Sequence, residues 1–221
     1  MENRQGMQTQ SEENYLKAIY RLAWQHLKVT PTALSKSLGH NPASVVDMLK
    51  KLTAKKLIHY DKTKGARMTG EGAKQALLMI RKHRLWEMFL QEKLGYGWDE
   101  VHDIAEQLEH VQGNALADRL DKFLGYPRFD PHGEAIPKAD GKIAKVPLKT
   151  LNDVAPGESC AVVSLNDTSK LFLQYLDKLN IEIGSVIKIL DKIEYDGSLM
   201  INIHNSRALV SPGFARSILV E

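Results

Sequence analysis

The chain has 221 residues, 43% apolar and 26% charged, with 1 Cys and 8 Pro, and no apolar run near the ~18 residues that a membrane span needs. These figures exclude a disulfide scaffold, a collagen-like chain and a helical membrane protein. The polar stretch of residues 1–10 lacks the charged-then-apolar pattern of a secretory leader, so a cytoplasmic protein with no membrane contact is expected. The net charge of +3 is unevenly spread: residues 1–70 carry 12 Lys and Arg against 5 Asp and Glu, residues 71–140 carry 9 against 13, and residues 141–221 carry 9 against 9. A basic first third suits a polyanion, whereas the acidic middle would repel one unless cations bind there.

In chain order, residues 11–27 predict a helix, with Tyr15, Ile19, Leu22 and Ala23 at helical spacing and Ser11, Glu13 and Asn14 offering polar groups to its first turn. Thr30-Pro31, a capping residue before proline, opens a short helix that carries Leu34 and Leu38 and stops at Gly39. Asn41-Pro42 repeats the signal and opens a helix with Val45, Met48, Leu49 and Leu52 on one face and Ala43, Ser44, Asp47, Lys50 and Lys51 on others. Two helices joined by a tight turn with glycine fit a helix-turn-helix, whose second helix can enter the major groove. The runs 57–60 and 66–69 flank Asp61-Lys62-Thr63-Lys64-Gly65, which reads as a hairpin with a basic tip. A winged helix-turn-helix over residues 1–70 is therefore expected to bind double-stranded DNA. Thr30, Pro42, Ala43, Ser44, Asp47, Lys50 and Lys51 fall on its reading side, and Lys62 and Lys64 are aimed at phosphates. Asp47 disfavours phosphate but can accept a hydrogen bond from a cytosine amino group.

Helices follow over 71–94, 99–111 and 114–124, and their apolar positions (among them Leu85, Phe89, Leu116, Leu120 and Phe123) exceed what one small unit covers, which points to a homodimer. Residues 127–150, with Pro127, Pro131, Pro137 and Pro147, read as a linker. Beyond it, residues 151–221 predict a compact β domain, with strands at 160–165, 186–191, 198–203, 208–211 and 216–220 and a helix at 169–179. The domains expected are thus 1–70 for DNA, 71–126 for metal and dimerisation, the linker 127–150, and the β domain 151–221.

The acidic middle carries the chemistry. His83 and Glu87 lie four apart on one predicted helix, and His102, Glu106 and His110 lie at i, i+4 and i+8 on the next, with Glu109 beside His110. If the two helices pack antiparallel, imidazoles and carboxylates converge at a spacing suited to one or two divalent ions. With the single Cys160 elsewhere, such nitrogen and oxygen donors fit Mn(II), Fe(II), Co(II) or Zn(II) rather than Cu(I). Other readings of the residues remain at this point: a solvated His/Glu surface, a ferroxidase-like di-metal carboxylate enzyme, or a winged-helix regulator of an organic ligand.

Four segments give the chain a resemblance to the diphtheria toxin repressor / manganese transport regulator family of metal-activated bacterial repressors. They are Ser11-Glu12-Glu13-Asn14-Tyr15-Leu16-Lys17-Ala18-Ile19-Tyr20, Asn41-Pro42-Ala43-Ser44-Val45-Val46, Arg81-Lys82-His83-Arg84-Leu85-Trp86-Glu87, and Val101-His102-Asp103 continuing to Glu106-Gln107-Leu108-Glu109-His110. Pro131-His132-Gly133-Glu134-Ala135-Ile136-Pro137 resembles the family's linker. The resemblance implies a mainly α N-terminal part, made of a winged helix-turn-helix and a helical dimerisation domain, followed by a small SH3-like (FeoA-like) β domain. It implies a non-enzymatic repressor that binds operator DNA as a homodimer and controls metal-uptake genes, loaded with Mn(II) or Fe(II) at one or two ions per subunit. Carried over residue by residue, one metal site is His83, Glu87 and His102, and the other is Glu106, Glu109 and His110 with Asn14. Family members place Met or Asp where Asn14 stands, and the iron branch places Cys where Glu106 stands, so the hard carboxylate leans toward Mn(II). Asp167 and Ser169 are the β-domain positions nearest in kind to those that lend the first site a ligand.

Overall fold

The computed structural model describes residues 9–25, 27–111, 113–143 and 149–221. Most of the polar N-terminus and residues 144–148 of the expected linker lie outside them, as does residue 26 of the first predicted helix. The described chain divides into two compact units, one of residues 1–83, 109–112 and 137–143, the other of residues 84–108, 113–136 and 144–221.

In the first unit, helix α1 (Gln10–Trp24) begins one residue upstream of Ser11. Its N-cap is Thr9, whose hydroxyl accepts from the Glu12 backbone N–H while the Glu12 carboxylate accepts from the Thr9 N–H. This reciprocal box satisfies two of the amides that a helix start leaves orphaned. Helices α2 (Pro31–Leu38) and α3 (Pro42–Ala54) start as their Thr30-Pro31 and Asn41-Pro42 signals require, each with the cap side chain accepting from the amide three residues on. Gly39, at φ 67°, turns one helix into the next. Strands β1 (Ile58–Asp61) and β2 (Gly65–Met68) pair antiparallel as the wing. Gly65 is obligatory there: at φ +85° any Cβ would come within 2.5 Å of the Val29 carbonyl oxygen. Tyr15, Leu16, Ile19, Leu34, Val45, Leu49, Leu52 and Ile58 form the fully buried core of this unit.

Helix α4 (Gly70–Leu94) is continuous through the point where the two units divide. In the second unit, α5 (Val101–Leu108) packs Val101 and Ala105 on Leu90 of α4, and α6 (Asn114–Phe123) packs Ala117 and Leu120 on Leu85 and Ile136. Helix α5 ends three residues earlier than its periodicity suggests, so Glu109 and His110 stand in a turn rather than on its face. The expected linker is also more ordered than its prolines imply, because Phe129 pairs with Ala135 as a β-bridge and Asp130, His132, Gly133 and Ile136 are buried.

The C-terminal part is a six-stranded antiparallel sheet in the order β3-β8-β4-β5-β6-β7, formed by β3 (Lys149–Thr150), β4 (Ser159–Leu165), β5 (Val186–Lys192), β6 (Leu199–Ile203), β7 (Ser206–Val210) and β8 (Ile218–Val220). Helix α7 (Lys170–Lys178) lays Phe172, Leu173 and Leu176 on the inner face of Val162, Ile187, Ile189, Ile201 and Ile218. Residues 212–216 are a short helix, α8 (Pro212–Arg216), opened by a third cap-proline pair, Ser211-Pro212, so the last strand starts at Ile218 rather than at Arg216. Cys160 is buried in this core, and burial pushes its thiol pKa up.

Candidate metal centre

One cluster of candidate ligands belongs to the first unit. Glu13, Asn14 and Lys17 share a face of α1, His83 comes from α4, and Glu109 and His110 come from the turn after α5. Glu109 is fully buried. The Lys17 ammonium donates to both of its oxygens, at 2.7 and 3.0 Å, and His83 Nδ1–H donates to Oε2 at 2.6 Å. His110 donates from Nδ1 to Glu13 Oε2 at 2.7 Å, and its Nε2 lies 3.6 Å from Glu109 Oε1. A carboxylate that accepts a hydrogen bond from one ring N–H, and so leaves the lone pair of the other nitrogen for a metal, is the usual support of a metal-binding imidazole. The Asn14 amide oxygen is buried and, among the described residues, accepts no hydrogen bond, which suits a ligand oxygen.

The second unit holds another cluster. Glu87 of α4 faces two imidazoles, with His102 Nδ1 3.3 Å from Oε1 and His132 Nδ1 3.9 Å from Oε2, and His102 Nε2 lies 3.9 Å from Glu106 Oε1. Glu87, Asp130 and His132 are all buried, and each offers a ligand atom within 4.8 Å of the others. Donors about 2.2 Å from one ion lie at most ~4.4 Å apart, so only small side-chain rotations separate this triad from shared coordination. Asp130 is held by its own loop: Oδ1 accepts from the His132 and Glu134 amides at 2.9 Å each, while Oδ2 accepts no hydrogen bond among the described residues and faces Arg84 Nε at 3.3 Å. Burial, reinforced by the charges of Glu134 and Glu87 and opposed by Arg84, pushes the Asp130 carboxyl well above the usual range. Arg84 itself is clamped between Asp130 and Glu134, whose Oε1 lies 2.9 Å from its Nη2. Gly133 lets this loop pass β4 closely, since at φ +77° a Cβ would lie 2.1 Å from the Val163 carbonyl oxygen.

The sequence-predicted ligands therefore divide. His83, Glu109, His110 and Asn14 fall in the first unit, and Glu87, His102 and Glu106 in the second. Sequence reasoning missed Glu13, Lys17, Asp130 and His132. Asp130 and His132 were hidden in a proline-bearing stretch read as a linker, although its buried-type Asp-Pro-His-Gly run was itself a signal.

The predicted DNA-facing residues are mostly exposed. Pro42, Ala43, Ser44, Asp47 and Lys50 lie on the outer side of α3, with Lys50 paired to Asp47 at 3.1 Å, and Lys62 and Lys64 stand at the wing tip. Thr30 is occupied as the α2 cap. Lys51 turns toward Glu12, 3.3 Å away, and Lys55 lies 2.7 Å from the same oxygen, so α3 is moored to the first turn of α1. Lys28, not anticipated, donates to the Thr63 carbonyl and supports the wing.

A winged helix-turn-helix, clustered imidazoles and carboxylates, and a small β domain in one chain define a metal-responsive DNA-binding regulator. Family models match along the chain: "Iron dependent repressor, N-terminal DNA binding domain" over residues 7–66, "Iron dependent repressor, metal binding and dimerisation domain" over 69–138, and "FeoA domain" over 149–221. The chain is 28% identical to the diphtheria toxin repressor of Corynebacterium jeikeium over 135 residues, a match covering 61% of this chain and 56% of that protein. It is 27% identical to the diphtheria toxin repressor of Corynebacterium glutamicum over 220 residues, 95% of each. A solved manganese-dependent transcriptional repressor in complex with manganese superposes with a TM-score of 0.87 at 32% identity, covering 95% of this chain and 98% of that one. The chain belongs to the diphtheria toxin repressor / manganese transport regulator family of metal-dependent transcriptional repressors, which are regulators and not enzymes.

Proposed function

We propose that this chain acts in the cytoplasm as a homodimer that grips operator DNA when Mn(II) or Fe(II) is bound, one or two ions per subunit, and so represses metal-uptake genes. The ligands in this reading are Glu87, His102, Asp130 and His132 for one centre, with Glu106 beside His102. For the other they are Glu109, His110 and Asn14, with His83 donating into Glu109. The two sets share α4, on which His83 and Glu87 are one turn apart. The observation that carries the reading is the buried triad of Glu87, Asp130 and His132, each with a ligand atom within 4.8 Å of the others, in which hydrogen bonds made elsewhere orient Asp130 and His132. Carboxylates and imidazoles without thiolate lean to Mn(II), with Fe(II) next.

A bound divalent ion supplies two positive charges that hold these donors at a fixed separation. The protein's residues do the rest. Glu13 and Asn14 lie on the helix whose Glu12 moors α3 through Lys51 and Lys55, so the position of α1 is felt by the reading helix. A two-fold dimer spaces two such helices for a palindromic site. The exposed apolar residues Leu116 and Phe123 of α6 suit the pairing surface.

The test is selection of bound duplexes from a random pool, with Mn(II) present or chelated. Recovery of a palindromic sequence only with Mn(II) supports the reading. The same recovery under chelation contradicts it.

A further inference from the structure

A fully buried carboxylate needs a cation or a set of donors to offset its desolvation. Glu109 has both, and its cation is the Lys17 ammonium, 2.7 Å from one oxygen and 3.0 Å from the other. The Lys17 side chain is only 11% exposed, so it is committed to this position. Around the pair stand groups of another character. Nε2 of His110 lies 3.6 Å from Glu109 Oε1, and the Asn14 amide oxygen, three residues before Lys17 on α1, is buried without a donor among the described residues. A monovalent ammonium thus sits among nitrogen and oxygen donors that a divalent ion would use.

We propose that Lys17 is a tethered cation that competes with a divalent ion for Glu109. The proposal rests on the reading of Glu109, His110 and Asn14 as a centre. Two cations at ion-pair distance from the same two oxygens repel strongly where water is scarce. Loading this centre therefore requires Lys17 to leave Glu109, and its four-carbon stem lets the ammonium swing toward solvent. The apparent affinity of the centre is lowered by the fraction of time that Glu109 is free of Lys17. In return, the metal-free protein keeps α1 tied to the 109–110 turn instead of holding an uncompensated buried charge. The exchange takes place on the helix whose Glu12 moors α3 through Lys51 and Lys55.

Mn(II) uptake by the full-length protein, followed by the paramagnetic resonance of the free ion, tests this in the natural chain and in Lys17→Gln, Lys17→Met and Lys17→Arg. Gln retains a donor for Glu109 and guards against a folding failure in the Met variant. The expected result is that Gln and Met tighten the weaker uptake step by about tenfold or more, that Arg leaves it weak, and that the stronger step is unchanged in all of them. Without metal, the Gln and Met variants should melt below the natural chain. An equal or weaker second step in both Gln and Met overturns the competition. A chain that takes up no Mn(II) in any variant overturns the metal reading itself, which separates the two failures.

Discussion

Nε2 of His132 donates to the carbonyl oxygen of Trp98 at 2.9 Å. Because a carbonyl can only accept, the ring proton sits on Nε2, and Nδ1 carries its lone pair toward Glu87. The Trp98 indole stacks on the same imidazole, with ring centroids 6.3 Å apart, and donates its own N–H to Asp177 of α7. The orientation of His132 is thereby set from the α4–α5 connection. Replacing His132 with Ala should weaken Mn(II) binding by at least ~10-fold with the fold retained, as judged by calorimetric titration and circular dichroism. An unchanged affinity would remove His132 from the ligand set.

Asp130 sets a pH dependence. Its carboxyl is raised by burial and by Glu134 and Glu87, so in the metal-free fold it holds a proton that the unfolded chain has already lost. Metal-free stability should therefore fall as pH rises from the ordinary carboxylate range through the raised value. Ligation requires the same proton to leave, so Mn(II) uptake should release protons and tighten with rising pH over that window. Titration calorimetry in buffers of different ionisation enthalpy checks this, and Asp130→Asn should abolish the proton release assigned to this residue.

Glu12 has the opposite sign. Burial raises its pKa, but Lys55, the Thr9 amide and Lys51 more than offset this and leave it lowered. Its contribution to stability is present above the ordinary carboxylate range and is lost as pH falls through the lowered value. Glu12→Ala removes one half of the capping box and frees Lys51 of α3 and Lys55 at its C-cap, and should cost about 1–2 kcal/mol in denaturant unfolding near neutral pH. A cost near zero would show that the mooring of α3 resides elsewhere.

In the proposed reading the wing contributes charge without sequence information. Lys62→Ala and Lys64→Ala should each weaken binding to all duplexes alike and reduce the slope of affinity against salt by ~1. Filter or anisotropy measurements at several salt concentrations read this directly. A slope that stays the same in both variants takes the wing off the DNA.

Local signals were legible in the sequence, and long-range ones were not. Thr30-Pro31 and Asn41-Pro42 mark helix starts through groups within three residues, so the helix-turn-helix could be read directly. Thr9 and Glu12 form the Thr-x-x-Glu signature of a capping box, a local mark of the helix start that lies two residues before Ser11. Ser211-Pro212 was likewise an unread copy of the same start signal. The early end of α5 had no such mark, because neither glycine nor proline lies between Leu108 and Gly113. That end is what turns Glu109 and His110 toward Lys17 and Glu13, residues more than ninety positions away in the chain. Asp130 and His132 gain their roles only through burial against Glu87 and Trp98, which periodicity cannot report.

The central claim is that occupation of these carboxylates and imidazoles controls the grip on DNA. Anisotropy of a duplex selected by the chain, titrated with protein in Mn(II) and again after chelation, tests it most directly in the natural chain and in Glu87→Gln and His110→Ala. The account predicts tight binding in Mn(II), loss on chelation, recovery on adding Mn(II) back, and little response to Mn(II) in either variant. Equal affinity with and without the metal, or variants that respond as the natural chain does, would contradict it.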